Sequence, residues 1–245
     1  GKLVAQISTD EHASRLLNHT IQARRRPLSL GPARDSSADL RCAQEAGSRL
    51  PSGWTRAPLS DYAAVIMGQS PPSSAYNETG RGLPFYQGKA QFGKLFPTAT
   101  TWCSEPTKTG APGDIVISVR APVGPTNVLQ ERSCLGRGLA AIRGLGGNQW
   151  HLLYTLRALE GDIAVLGVGS TFPAISRRDL DTFWLRIPPL AEQARIVAKV
   201  EELMALCDRL EAQQQERETR HTALASAALA RFSEDPTPAK LEFLF

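Results

Sequence analysis

Residues 187–213 read IPPLAEQARIVAKVEELMALCDRLEAQ. Pro188 and Pro189 close one structure, because neither has a backbone N–H to donate, and a long helix starts immediately after them. Ile196, Val200, Leu203, Cys207 and Leu210 fall on a 4-3 repeat. That spacing makes a seam for another helix rather than a broad face for a globular core. At ~1.5 Å per residue a helix over 190–232 is about 65 Å long, more than one small domain covers. Beyond Leu210 the seam positions are Gln214, Arg217 and His221 before Leu224 and Ala228 resume. Polar seam residues can set register and partner at some cost in stability. The rival reading bends the helix near 213–218; a continuous helix is the favoured expectation.

The chain has 245 residues, 42% hydrophobic and 21% charged, which is ordinary for a soluble protein. It contains no apolar run of bilayer length and no basic start followed by an apolar core, so neither a membrane span nor a signal peptide is expected. It has no initiator Met; its methionines are Met67 and Met204, and it reads as a fragment of a longer protein. Cys42, Cys103, Cys134 and Cys207 have neither zinc spacing nor a disulfide framework, so reduced thiols in a cytoplasmic protein are expected. The four histidines are equally scattered, and no metal site is indicated. The net charge is +4. Residues 54–187 hold 13 basic and 9 acidic residues, against 6 and 7 in 188–232, so the positive excess lies outside the helix. A modest excess suits nucleic acid without proving it.

Five segments follow from the patterns. Residues 1–26 carry a short helical stripe, Ala13, Leu16, Leu17 and Ile21, with Asp10 as a candidate cap and Arg24, Arg25 and Arg26 as a charge run. Residues 27–53, rich in Pro, Gly, Ser and Arg, read as a linker. Residues 54–187 form a domain of short strands and few helices. Its strand candidates are Ile115–Val119, Gly138–Ile142 and Thr182–Ile187, and Gln149–Leu159 is a helix with Leu152, Leu153, Leu156 and Leu159 on one face. The mixture predicts an α+β fold with a curved mixed or antiparallel β-sheet and short helices, followed by a long coiled-coil-forming helix over 188–232. Residues 233–245, with Pro236 and Pro238, read as a tail.

Six stretches in order then carry a resemblance: IMGQSPPSSAYN (66–77), GLPFYQGKAQFG (82–93), PGDIVISVRAPVG (112–124), CLGRGLAAIR (134–143), GSTFPAISRRDL (169–180) and IPPLAEQARIVAKVEELMALCDRLE (187–211). Together they resemble the specificity subunit of type I restriction-modification enzymes, specifically its C-terminal half: one target recognition domain and the distal helix. The first 25 residues resemble the end of the region that precedes the second recognition domain. The resemblance implies a non-catalytic DNA-binding subunit that reads one half of a split double-stranded DNA target. It also implies docking to methyltransferase and restriction subunits, with S-adenosylmethionine, ATP and magnesium belonging to those partners and no cofactor in this chain. The long helix would pair with a second copy of itself, within a full-length subunit or between two chains here.

Specific DNA binding needs donors and acceptors at base edges and cations against phosphates. The loop Gly68–Ser74 offers Gln69, Ser70 and Ser73, with Gln69 suited to adenine; a purely structural turn is the equal alternative. Tyr86, Lys89, Gln91 and Lys94 interleave an aromatic, an amide and lysines, against a solvated hairpin with Phe92 in a core. Arg120 follows a buried strand and suits phosphate; internal pairing with Asp114 or a backbone carbonyl is the equal alternative. Thr171, Arg177 and Arg178 follow a glycine-containing run; the alternative makes Ser176 the cap of a short helix carrying exposed arginines. No nucleotide fingerprint, methyltransferase motif or nuclease constellation stands in the chain, and Gly136-Arg137-Gly138 is too short for one. Two other classes stay open: the specificity portion of a single-chain restriction-methyltransferase, and a coiled-coil assembly protein that does not bind DNA.

Overall fold

The computed structural model describes residues 3–25, 50–168 and 173–234. Arg26, the stretch 27–49, Thr171 and the tail from 235 lie outside the described residues. The chain divides into two units, 1–197 and 198–245.

The first unit is built on a four-stranded antiparallel sheet in the order β2 (Ala63–Met67), β10 (Leu139–Gly144), β7 (Ile115–Ser118) and β8 (Thr126–Val128). Its strands are buried on both faces. Ile115 and Ile117 of β7 enter the main core, whereas Val116 between them enters a second cluster with Leu129, Leu135 and Leu139. Successive side chains point to opposite faces, which is why an uninterrupted apolar run rather than an alternating one marks this strand. On the main-core face lie α1 (Ala13–Arg25), α2 (Leu59–Tyr62), α3 (Gln149–Ala158), α4 (Glu160–Val165) and α5 (Arg177–Asp181), through Ala13, Leu59, Tyr62, Leu152, Leu153, Leu156, Ile163 and Leu180. Each fully buried leucine there stabilises the fold by about 1.5–3 kcal/mol.

A five-stranded mixed sheet covers the other side, in the order β3 (Tyr76–Asn77), β5 (Trp102–Cys103), β4 (Leu83–Tyr86), β9 (Ser133–Leu135) and β6 (Thr109–Gly110), with β4 and β9 parallel. The β1 (Thr55–Pro58) and β11 (Trp184–Ile187) strands pair antiparallel as a third sheet. The α+β class and the mixed and antiparallel pairing match expectation, but three sheets replace the single curved one. Among the described residues five of the strands are two or three residues long and leave no periodic trace.

The helix over 149–158 forms as read, capped by the Asn148 side chain, which accepts from Trp150 N and His151 N. The third strand starts two residues late. Thr182 caps α5, with Thr182 N donating to Arg178 O and Phe183 N to Leu180 O, so neither residue is free for the ladder. Asp10 does not cap α1. Its carboxylate takes the Arg195 guanidinium, and His12 Nδ1 accepts from Ser14 N at the helix start instead.

The long helix, α6 (Leu190–Glu234), is uninterrupted. Its first turns belong to the first unit. Glu192 accepts from Trp54 Nε1 at 3.0 Å, and Gln193 is fully buried. In the second unit Leu203, Cys207, Leu210 and Leu224 are exposed, while Ile196, in the first unit, and Val200 are half-buried. The polar stretch at Gln214, Arg217 and His221 does not interrupt the helix. It is laced by i,i+4 contacts, Gln214 to Glu218 and Arg220 to Glu216.

Candidate nucleic-acid interface

Three loops meet at the ends of β2, β4 and β9, and glycines let them meet backbone to backbone. Gly68 N donates to Leu139 O at 2.9 Å and Gln69 N to Leu135 O at 2.8 Å. A Cβ on Gly68 would sit 2.2 Å from Gly136 O, and one on Gly138 would sit 2.3 Å from Gln87 O. No other residue type fits either place without moving main chain. Gly136 N completes the junction by donating to Tyr86 O at 2.8 Å.

The junction borders a cleft of about 190 Å³ lined by Ser70, Gln87, Lys89, Ser118, Arg120 and Arg137, with Gly88, Ala121 and Gly138. Lys89, Arg120 and Arg137 are exposed, and the cleft's lining includes no carboxylate. Several arginines elsewhere in the unit do have acidic partners. Arg143 makes a bidentate pair with buried Asp114, at 2.7 and 2.8 Å, which raises the Arg143 pKa. Arg177 pairs with Asp181 at 3.2 Å, and Arg195 with Asp10. The cleft therefore concentrates positive charge that has no carboxylate partner among the described residues.

Of the residues singled out from sequence, Ser70, Lys89 and Arg120 come together here. The pairing of Arg120 with Asp114 does not occur, because Arg143 occupies that carboxylate and Ala111 N donates to it at 2.7 Å. Gln69 is exposed beside the junction, and its carbonyl accepts from Thr107 Oγ1. Ser73 is exposed at the start of a single 3-10 turn. Lys94 lies on the following loop, outside the lining, and its carbonyl accepts from Arg157.

Two expected contact residues are structural. Tyr86 is buried in the second core cluster, with its hydroxyl toward Pro97 O, and burial raises its pKa. The Gln91 amide is spent within its own loop, accepting from Gln87 N at 2.8 Å and donating to Phe85 O at 3.0 Å. These two support the loop that presents Lys89, and Phe92 packs against the same cluster. Arg177 and Arg178 stand exposed on α5, where Ser176 and Asp179 form a capping box, the arrangement given as the alternative. Gln87 and Arg137 are cleft residues that sequence reasoning did not select. The signal for Arg137 was its place between two glycines.

Buried cysteines Cys103 and Cys134 sit together in a small cluster with Ala75 and Phe85, and burial pushes the Cys134 thiol up to about 11. Cys207 is exposed on α6. No group of three or more metal-ligating side chains occurs among the described residues. No helix among them is long and apolar enough to cross a membrane.

Residues 51–218 match the family described as Type I restriction modification DNA specificity domain. A putative type I restriction enzyme MjaX specificity subunit from Methanocaldococcus jannaschii is 40% identical over 173 residues, 69% of this chain and 40% of that protein. The HsdS subunit from Thermoanaerobacter tengcongensis superposes with a TM-score of 0.63 at 46% identity, over 69% of this chain and 42% of that one. A chain from a structure concerned with complex assembly and conformational transition of the type I R-M system reaches a TM-score of 0.70 at 46% identity, over 76% and 47%. A type I S subunit from M. genitalium shares the fold, with a TM-score of 0.50 at 17% identity. The chain thus spans less than half the length of each of these relatives. A matched segment running from the first sheet into the long helix, together with this fold, places the chain in the type I restriction-modification DNA specificity domain family.

Proposed function

We propose that this chain reads one half of a split double-stranded DNA target as part of a type I specificity subunit and catalyses nothing itself. The observation that supports this most is the carboxylate-free cleft lined by Lys89, Arg120 and Arg137, held where glycines bring three loops together. Cations without a carboxylate partner are the electrostatic footprint of a phosphate backbone. Gln69 and Ser73 border the cleft's loops as base-edge candidates, Ser70 lines it, and Lys94, Arg177 and Arg178 are outlying phosphate candidates. Thr171 keeps that role only as a sequence expectation.

The exposed seam of α6 takes a second copy of the helix, so that two recognition domains are held a fixed distance apart. The same helix and the domain beside it dock methyltransferase and restriction subunits, which carry S-adenosylmethionine, ATP and magnesium.

Duplex binding measured by fluorescence anisotropy across a salt series tests the reading. Affinity is expected to fall with salt, the logarithmic slope steepening by about 0.9 for each phosphate neutralised. Replacing Lys89, Arg120 and Arg137 together by alanine flattens that slope. A wild-type chain that binds duplex at low salt no better than a neutral control protein defeats the proposal and leaves the coiled-coil assembly reading.

A further inference from the structure

Building on the DNA-reading proposal, we infer that Arg137 is the residue that selects a base, reading a guanine, while Lys89 and Arg120 hold phosphates on either side.

The main chain at Arg137 is clamped from several directions. Arg137 N donates to Ser70 Oγ at 3.2 Å, and its neighbour Gly136 N donates to Tyr86 O at 2.8 Å. Gly138 O accepts from Val119 N at 2.9 Å, and Leu139 N closes the turn onto Gly136 O at 3.0 Å. Gly138 also lies so close to Gln87 O that a Cβ there would come within 2.3 Å of it. The tip between two glycines, ordinarily the most mobile kind of turn, is therefore held by hydrogen bonds and close backbone contacts on both sides. Its side chain alone is exposed.

That combination has a chemical consequence. A phosphate contact tolerates a loosely held cation, because charge attraction is nearly isotropic. Two parallel hydrogen bonds to guanine O6 and N7 need a planar fork delivered in fixed register, which arginine on an immobile backbone supplies and lysine does not. The surroundings agree. The turn is flanked by the exposed amide of Gln87, which lines the same cleft, and by exposed Gln69, whose N–H donates to Leu135 O just before the turn. Amides pair bidentately with adenine, so one edge of the cleft gathers the side chains suited to purines. Lys89, a flexible ammonium starting a short 3-10 turn, suits a phosphate. Ser70 then becomes a positioning residue, since its hydroxyl accepts from Arg137 N.

Selection of bound sequences from a randomised duplex pool, using the full chain, is the test. The wild-type chain is expected to enrich a motif with at least one fixed G·C pair. Arg137→Ala and Arg137→Lys are expected to keep the rest of the motif and level that one position, discrimination there dropping roughly 10- to 100-fold. Arg137→Lys should keep the wild-type salt slope. The residue is exposed, so unchanged thermal unfolding of both variants is the folding control.

If Arg137→Lys retains the full preference, or Arg137→Ala weakens all duplexes equally and flattens the slope by about 0.9, Arg137 is a phosphate contact and the inference is wrong. If the wild-type chain enriches no motif, the DNA-reading proposal itself fails and takes the Arg137 assignment with it.

Discussion

The Tyr62 hydroxyl donates to Gln193 Oε1 at 3.0 Å, joining residues 131 positions apart in sequence. The same oxygen accepts from Asn148 N at 2.8 Å, while Gln193 Nε2 donates to Pro188 O at 3.0 Å. Burial pushes the Tyr62 pKa up to about 12, and the bond to Gln193 partly offsets the rise. One buried amide therefore ties the first turn of α6 to the end of α2 and the cap of α3.

Gln193→Leu fills similar space but strands the Tyr62 hydroxyl and Asn148 N without an acceptor. Loss of about 2–6 kcal/mol is expected, at about 1–3 kcal/mol for each of the two orphaned groups. Urea unfolding followed by tryptophan fluorescence measures it. An unchanged midpoint would show that the amide is incidental.

His151 is buried with Nδ1 unpartnered, and burial lowers its pKa from 6.5 to about 4. Because the folded value lies below the unfolded one, the unfolded chain takes up the proton first. Stability is complete above about pH 6.5 and falls as pH drops toward 4. Between pH 7.5 and 5 this amounts to about 2 kcal/mol. His151→Gln should remove most of that slope. Wild type and variant with parallel stability–pH curves would refute the assignment.

Asp114 is 2% exposed, whereas the side chain of its partner Arg143 is 46% exposed. Solvent reaches the pair from one side, so its worth is modest. Asp114→Ala loses the pair and the bond from Ala111 N, with an expected cost of about 1–3 kcal/mol. Duplex sequence preference should be untouched, since both residues lie outside the cleft lining. A changed motif in the selection experiment would move this pair into the interface.

Gly68→Ala places a methyl group within 3 Å of three carbonyl oxygens, those of Leu135, Gly136 and Leu139. The loop must shift, carrying Gln69 and Ser70 with it. Motif enrichment is expected to collapse while circular dichroism still reports the fold. Retained enrichment at wild-type strength would mean that the cleft does not need this junction.

The seam prediction concerns association. Leu203 and Leu210 are 40% and 55% exposed, an apolar stripe that a second helix would cover. Self-association at tens of micromolar is expected by light scattering, and Leu203→Glu with Leu210→Glu should abolish it without altering duplex binding by the recognition domain. A dimer that survives both substitutions places the contact elsewhere.

Much of this was legible along the chain because it is local. The 4-3 repeat marked α6, the Leu-rich stripe marked α3, and the all-apolar run 115–117 marked a strand covered on both faces. The two-residue strands were not legible, since nothing periodic fits into two residues. Tyr86 and Gln91 were misleading for a related reason. An aromatic and an amide among lysines suit a DNA-facing loop by composition, but composition does not say which way a side chain points. Tyr86 turns into the core, and Gln91 turns back to bond Gln87 N and Phe85 O.

By itself the sequence determined the class of fold, the long helix with its apolar stripe and the order of motifs that mark the family. Each of these is written in residues close together in the chain, through periodicity, capping and spacing. Only the tertiary structure decided that Ser70, Lys89, Arg120 and Arg137 share a cleft, and that Arg120 is not Asp114's partner. Those relationships join segments up to 67 residues apart, as in the bond between Arg137 N and Ser70 Oγ. They depend on glycines letting backbones touch and on which arginine reaches a carboxylate first, and neither is visible until the chain has closed on itself.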